Sequence, residues 1–335
     1  MVRGRGGSPR VKGGFDIRVV IPGGSGQVGA LLSRALLRDG HDVVILSRRP
    51  AAGPCPSVVW DGRTLGSWQD ALDGADVVVN LAGYTVNCRY GAANRERILR
   101  SRVDSTRVVG EAIARCARPP RLWLQASTAT LYAHRYDAPN DEATGILGGS
   151  ECDVPDTWRF SIDVATAWER TVDEANTPNT RKVKLRSAMT LSPDPGGIFA
   201  VLLGLVRRGL GGTAAHGRQY ISWVHEEDFV RALYWLIERE DVDGAVNIAS
   251  PNPLPNAEFM RILREAWGTS IGLPATRWML EIGALVLRTE TELILKSRRV
   301  VPGLLLERGF TFQHPDWPEA ARSLCARWRE IKAAD

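Results

Sequence analysis

Short β-branched runs alternate with amphipathic stretches from residue 16 to about residue 190, a pattern that predicts parallel strands covered by helices. Ile17-Arg18-Val19-Val20-Ile21 predicts the first strand. A glycine turn follows, then a helix with Val28, Leu31, Leu32, Ala35 and Leu36 on one face, stopped at Gly40. Further strands are expected at 42–46, 57–60, 76–80, 121–126 and 183–187, with helices over 94–116 and 157–175. This order places the chain in the α/β class, as a Rossmann-type doubly wound parallel sheet. Past residue 190 the pattern loosens. Helices are expected at 196–208, 226–238, 257–267, 277–287 and 318–331, an extended stretch at 220–224 and a strand at 245–249. The division that follows is a sheet domain over 15–190, to which some later segments return, and a smaller, mostly helical C-terminal domain over 191–335. A ligand cleft is expected between them.

Composition narrows this picture without redirecting it. Hydrophobic residues are 44% and charged residues 24% of 335, ordinary globular values that exclude global disorder and fibrous structure. No apolar run approaches the roughly 18 residues that cross a bilayer, and the opening residues lack an apolar signal region. A cytoplasmic protein with no membrane partner is the expectation. Of the net charge of +5, four charges belong to Arg3, Arg5, Arg10 and Lys12 in an acid-free, Gly-rich opening. The body is near neutral, so residues 1–14 are expected to be a disordered basic tail and nucleic acid is not an expected partner. Cys55, Cys88, Cys116, Cys152 and Cys325 are scattered, odd in number and free of C-x-x-C spacing. Neither a disulfide framework nor a metal site is expected.

The candidate chemistry begins at Pro22-Gly23-Gly24-Ser25-Gly26-Gln27-Val28-Gly29, between the first strand and its helix. Gly23, Gly26 and Gly29 have the spacing of a dinucleotide loop: one glycine for the tight turn, one for close approach of a pyrophosphate, one for helix–strand packing. Free amides at the helix start would hold the phosphates, so Gly23, Gly24, Ser25, Gly26, Gln27, Val28 and Gly29 are the cofactor-binding candidates. The second strand ends in Ser47-Arg48-Arg49, with no acid to bond a ribose 2′-hydroxyl. A hydroxyl and two guanidinium groups suit a 2′-phosphate, which favours NADP(H) over NAD. The alternative is two surface arginines that solvate a loop.

Three segments, the glycine loop, Asn80-Leu81-Ala82-Gly83 and Ser127-Thr128-Ala129-Thr130-Leu131-Tyr132, resemble an extended short-chain dehydrogenase/reductase. The chain is similar, more narrowly, to the atypical epimerase-like branch often labelled nucleoside-diphosphate-sugar epimerase. That match rests on Ser101-Arg102-Val103-Asp104-Ser105-Thr106-Arg107, Ser222-Trp223-Val224-His225-Glu226-Glu227-Asp228 and Ala249-Ser250-Pro251-Asn252-Pro253. Arg298-Arg299-Val300-Val301-Pro302 and Leu306-Glu307-Arg308-Gly309-Phe310 look like the small domain that ends this branch. The resemblance covers nearly the whole chain after residue 15. It adds Leu81, Ala82 and Gly83 to the cofactor site, and Asp61 as an acceptor for the adenine amino group. Asp61 followed by Gly62 reads equally as a turn.

The resemblance also implies a working set of Ser or Thr after the fifth strand and Tyr-x-x-x-Lys on the next helix, the lysine lowering the tyrosine pKa for proton exchange. Thr128 occupies the first place. If Glu169 stands for the glutamate that follows the lysine by four, Ser161 replaces the tyrosine and Ala165 the lysine. A serine hydroxyl is far less acidic than a tyrosine, which starts near about 10. Usual hydride-transfer catalysis is then in doubt. The arginine that holds a sugar nucleotide's diphosphate belongs at Ile221, and the nearest arginine is Arg218. The acidic pair of the dehydratases is replaced by Ala129-Thr130, so sugar dehydration is not expected.

Tyr132, with Thr128, is the candidate catalytic pair, although Tyr132 reads equally as an aromatic packed on the sheet end. His225 reads as a proton relay or as a ring bonded to neighbouring backbone. Asp228 is expected to cap the helix that starts near Glu226. Tyr84, Arg218 and His225 are the substrate-side candidates, and Cys88 an ordinary thiol. Two functions fit: an NADP(H)-dependent oxidoreductase or epimerase-like enzyme on a small polar molecule, or a catalytically silent NADP(H)-binding sensor or scaffold.

Overall fold

The computed structural model describes residues 16–50, 53–151, 154–286 and 290–334. The expected tail at 1–14 and Cys152 lie outside the described residues. In chain order come β1 (Arg18–Pro22), α1 (Gln27–Arg38), β2 (Asp42–Ser47), β3 (Ser57–Val59), β4 (Val77–Asn80), α2 (Ala92–Arg115), β5 (Leu122–Thr128), α3 (Asp156–Glu174) and β6 (Arg181–Ser187). Next are β7 (Met189–Leu191), α4 (Ile198–Arg207), β8 (Tyr220–Ile221), β9 (Trp223–His225), α5 (Glu226–Glu238) and β10 (Gly244–Ile248). The chain ends through β11 (Leu254–Pro255), α6 (Asn256–Trp267), α7 (Arg277–Val286), α8 (Glu292–Leu295), α9 (Gly303–Glu307) and α10 (Trp317–Ala334).

Seven strands pair in parallel in the order β10-β6-β5-β4-β1-β2-β3. The alternation of side chains along each strand splits the core in two. Val19, Ile21, Val43, Ile45, Val77 and Val79 face α1 and α5 on one side. Val20, Val44, Leu46, Val78 and Trp123 face α2 with Trp60 and Trp68 on the other. Burial on both faces is why these strands read as apolar runs. The direction of strand progression reverses between β1 and β4, which opens a crevice above their carboxyl ends.

A third cluster builds the C-terminal part. Phe199 and Leu203 of α4, Phe259 and Leu263 of α6, and Trp317 and Leu324 of α10 pack around Trp223. Phe259 and Trp317 stack with centroids 4.1 Å apart. The boundary near residue 190 is not a clean cut, because β10 pairs into the sheet and α5 packs on its face. The expected extended stretch at 220–224 is two strands. β8 pairs antiparallel with β11 and β9 parallel with β7, while Ser222 between them donates to Arg298 O at 2.5 Å and accepts from Val300 N at 2.8 Å.

Asp228 is not the cap of α5, which corrects the sequence reading. His225 Nδ1 accepts from Glu227 N at 3.1 Å and fills that role. Asp228 is buried and accepts from Gln313 N and His314 N at 2.8 and 2.7 Å, which fastens the C-terminal segment to α5. Among the described residues, no helix is long and apolar enough to cross a membrane.

Candidate functional site

The glycine loop is a cradle that admits only glycine at Gly23, Gly24 and Gly29. Gly23 has φ +79°, and a Cβ there would lie 2.7 Å from Ala82 N. A Cβ on Gly24 would meet Ile45 Cγ2 at 2.6 Å, and one on Gly29 would meet the Gly24 backbone at 2.5 Å. The first intrahelical bond of this turn runs from Ala30 N to Gly26 O, so the amides before it have no helical partner. Gln27 adds a buried Nε2 without a partner among the described residues. Close-packed glycines, unspent amides and an orphaned donor are the features a pyrophosphate requires, so a dinucleotide fits this chain.

A cavity of about 420 Å³ opens from the same place. Gln27 and Val28 line its near side, Thr128 and Thr130 past β5 its floor, and Tyr90, Arg102, Ser161, Ala165 and Glu292 its far wall. Thr128 Oγ1 accepts from Thr130 N at 3.2 Å. Arg102 donates to the carbonyls of Tyr84 and Ile98 at 3.0 and 3.1 Å and lies over the Trp168 ring. Burial pushes its guanidinium down to about 10, and it has no carboxylate partner among the described residues. Burial pushes the Tyr90 hydroxyl up to about 12, helped by the Glu292 charge.

The remaining sequence candidates divide. Leu81 N donates to Pro22 O at 2.8 Å, holding Leu81 and Ala82 against Gly23, and exposed Gly83 lies beside Arg102. Arg48 and Arg49 are exposed beyond β2, and neither pairs with an acid among the described residues. Ser47 is buried, donates to Arg49 O and lies 3.3 Å from Ser57 Oγ, so it shapes the arginine turn instead of reaching outward. Asp61 accepts from Arg63 N and Thr64 N at 2.8 and 2.9 Å beside Gly62 at φ +70°. It is built as a turn. Burial alone would raise its carboxyl, but the hydrogen bonds from Thr64 and Arg63 hold it below the usual range.

Tyr132 is a correction. It is 2% exposed and lies off the cavity wall; its hydroxyl donates to Asn247 Oδ1 and accepts from Arg186 Nη1, both at 3.0 Å. Tyr84 is half-buried beside Val86 and Phe160 and does not line the cavity. Exposed Arg218 also lies off the cavity, its backbone N donating to His216 Nδ1 at 3.1 Å. Tyr90, Arg102 and Glu292 join the site without any local sequence signal.

His225 is buried away from the cavity, stacked on His314 with centroids 3.8 Å apart. Ligand atoms of His225, Glu227 and His314 lie within 4.8 Å of one another. His225 Nδ1 serves the helix cap, and His314 Nε2 lies 3.2 Å from Glu227 Oε2. Burial first, then the neighbouring His314 and Arg327, push His225 down to about 3. The folded chain holds this ring neutral while the unfolded chain protonates it near about 6.5, so stability is lost as pH falls from about 6.5 towards about 3. Urea unfolding should show a loss approaching about 1.4 kcal/mol per pH unit below about 6. His225→Asn, which retains a capping oxygen, should flatten that slope; an unchanged slope would show that His225 does not carry it.

Comparisons with known proteins agree with this geometry. The NAD dependent epimerase/dehydratase family matches residues 19–249, and a domain family of unknown function, DUF1731, matches residues 275–324. The chain is 31% identical over 316 residues to the epimerase family protein SDR39U1 of Bos taurus, covering 92% of this chain and 100% of that protein. It is 30% identical over 310 residues to the epimerase family protein MT2273 of Mycobacterium tuberculosis, covering 90% and 95%. The crystal structure of human SDR39U1 (isoform 2) with NADPH superposes with a TM-score of 0.80 at 27% identity, covering 92% of this chain and 99% of that one. MoeE5 in complex with UDP-glucuronic acid and NAD shares the fold, with a TM-score of 0.72 at 19% identity over 94% of this chain and 99% of that one. The chain belongs to the NAD-dependent epimerase/dehydratase family.

Proposed function

We propose that this chain is an NADP(H)-binding oxidoreductase or epimerase-like enzyme acting on a small polar substrate. The observation that carries the reading is continuity: Gln27 and Val28, at the phosphate cradle, line the same cavity as Thr128 and Ser161. The cradle amides would hold the pyrophosphate, the Leu81–Gly83 backbone the adjoining ribose side, and Arg48 and Arg49 a 2′-phosphate. When bound, the nicotinamide supplies the site from which hydride is given or taken. Thr128 is the polar group nearest in sequence to the expected role of orienting substrate oxygen. The Arg102 guanidinium suits a substrate that carries a carboxylate or phosphate. The proposal places the protein in the cytoplasm with a small-molecule partner and neither nucleic acid nor membrane.

Fluorescence titration should show NADPH bound more tightly than NADH. Replacing both Arg48 and Arg49 with alanine should weaken NADPH by about 10- to 100-fold, one or two charge-assisted hydrogen bonds, and leave NADH nearly unchanged. An unchanged NADPH/NADH ratio would refute the assignment. A silent NADP(H) sensor is the second reading, favoured by the register in which Glu169 stands for the superfamily's glutamate and Ser161 and Ala165 for its tyrosine and lysine. Deuterium transfer from 4-deuterated NADPH to a panel of aldehydes, ketones and nucleotide sugars separates the two.

A further inference from the structure

Ser161 Oγ donates to Glu292 Oε2 at 2.5 Å, and both residues line the cavity. They come from α3 and α8, so no local pattern joins them. Glu292 is 1% exposed and lies in the segment matched by the domain family of unknown function. The fold fixes it from several sides. Arg298 approaches Glu292 Oε1 at 3.4 Å and donates to Thr130 Oγ1 at 3.1 Å, while Lys296 Nζ donates to Thr130 O at 2.7 Å. Glu290, just before α8, accepts from Tyr90 N at 2.7 Å. A carboxyl buried at the wall of a cavity is costly unless it is used or paired, and this one is held between Arg298 and the Ser161 hydroxyl, which lines the same cavity.

We propose that Ser161 and Glu292 form the proton-transfer pair of this cavity, with Ser161 Oγ facing the substrate oxygen and Glu292 holding the proton. The proposal rests on the oxidoreductase reading above and assigns the C-terminal domain a role in the chemistry. In the oxidising direction the substrate O–H bond breaks and its proton passes to Ser161 Oγ. Ser161's own proton moves to Glu292 Oε2, which becomes a neutral carboxyl. An oxidised nicotinamide, when bound, would take the hydrogen on the carbinol carbon with its electron pair, and the C–O bond would become a carbonyl. Reduction runs the same transfers backwards. Serine relays a proton without ionising, so its weak acidity no longer bars it from the tyrosine's place, and Ala165 has no pKa to tune.

The groups that face Glu292 act in both directions. Burial raises its carboxyl above the usual range; Arg298, the Ser161 hydrogen bond and Lys296 lower it, and Glu290 raises it. Tyr90 feels the Glu292 charge in turn.

The full chain is tested in two ways. Infrared difference spectroscopy follows the protonated-carboxyl band during a pH titration. A band that vanishes in Glu292→Gln should titrate above the ordinary value of about 4.3, and Ser161→Ala should raise it further by removing a donor to the ionised form. A Glu292 band at or below the ordinary value, or one indifferent to Ser161→Ala, overturns the pair. Deuterium transfer from 4-deuterated NADPH to the carbonyl panel should fall by about 10²- to 10⁴-fold in Ser161→Ala and Glu292→Gln, with NADPH affinity within about twofold of wild type. Ser161→Thr, which keeps the hydroxyl, should retain most of the rate. Wild-type transfer in either disabling variant overturns the pair alone, and a wild-type chain that binds NADPH but transfers nothing overturns the pair together with the enzyme reading. Failure to bind NADPH overturns the cofactor reading, and the infrared titration still decides the pair.

Discussion

Gly29→Ala is expected to remove NADPH binding and to destabilise the fold by about 2–4 kcal/mol, because the new methyl has nowhere to go. It would meet Gly24 Cα and O at 2.5 Å. Gly24 cannot retreat, since its N donates to Ile21 O at 3.0 Å and its own open face is closed by Ile45. Gly23 next to it is tied to Leu46 O at 2.8 Å and pressed on the Leu81-Ala82 backbone. The clash is therefore passed to β1, β2 and β4 together. Gly26→Ala is the contrast. Its Cβ would find only Gly23 O at 3.5 Å, and its φ of −76° suits any residue. That variant should fold with a loss of about 1 kcal/mol or less, yet weaken NADPH at least about tenfold by placing a methyl where the phosphates approach. Urea unfolding and NADPH titration on both proteins check the pair of outcomes. Gly29→Ala behaving as wild type in both would show that the loop is a plain turn.

The parts of the fold legible in the sequence are those in which one physical rule dominates locally. β1, β2 and β4 are buried on both faces, so Val19-Val20-Ile21, Val43-Val44-Ile45 and Val77-Val78-Val79 announce themselves. The glycine loop is legible because Gly23, Gly24 and Gly29 each meet a separate steric limit within seven residues. The cavity's far wall is not. Tyr90, Arg102, Ser161 and Glu292 are brought together from α3, α8, α2 and the loop before it, and only the fold supplies their proximity. Tyr132 misleads for a local reason. A 3-10 turn over Ala129–Leu131 intervenes, with Tyr132 N donating to Ala129 O at 3.3 Å, and it turns the ring away from Thr128 towards Arg186. His225 resembles a relay in sequence because its value as a helix cap appears only when Glu227 N is in place beside it.

Arg186→Met is expected to be the most damaging single change behind the site, at about 3–5 kcal/mol. The Arg186 guanidinium grips Glu169 with two bonds of 2.9 and 2.8 Å and donates to Tyr132 at 3.0 Å, at 8% exposure. Glu169, at 7% exposure, keeps after the change only the Ser127 hydroxyl at 2.6 Å. An uncompensated carboxylate would then stand buried among α3, β5 and β6. Removing both partners, as Arg186→Met with Glu169→Leu, leaves no orphaned charge and should recover at least about half of the loss at neutral pH. Urea unfolding of the single and double variants at neutral pH reads the outcome directly. Because Ser127 lines the cavity as well as binding Glu169, the single variant should also loosen NADPH binding more than the double variant does. Equal losses in the two would show that the arginine holds β6 by packing alone.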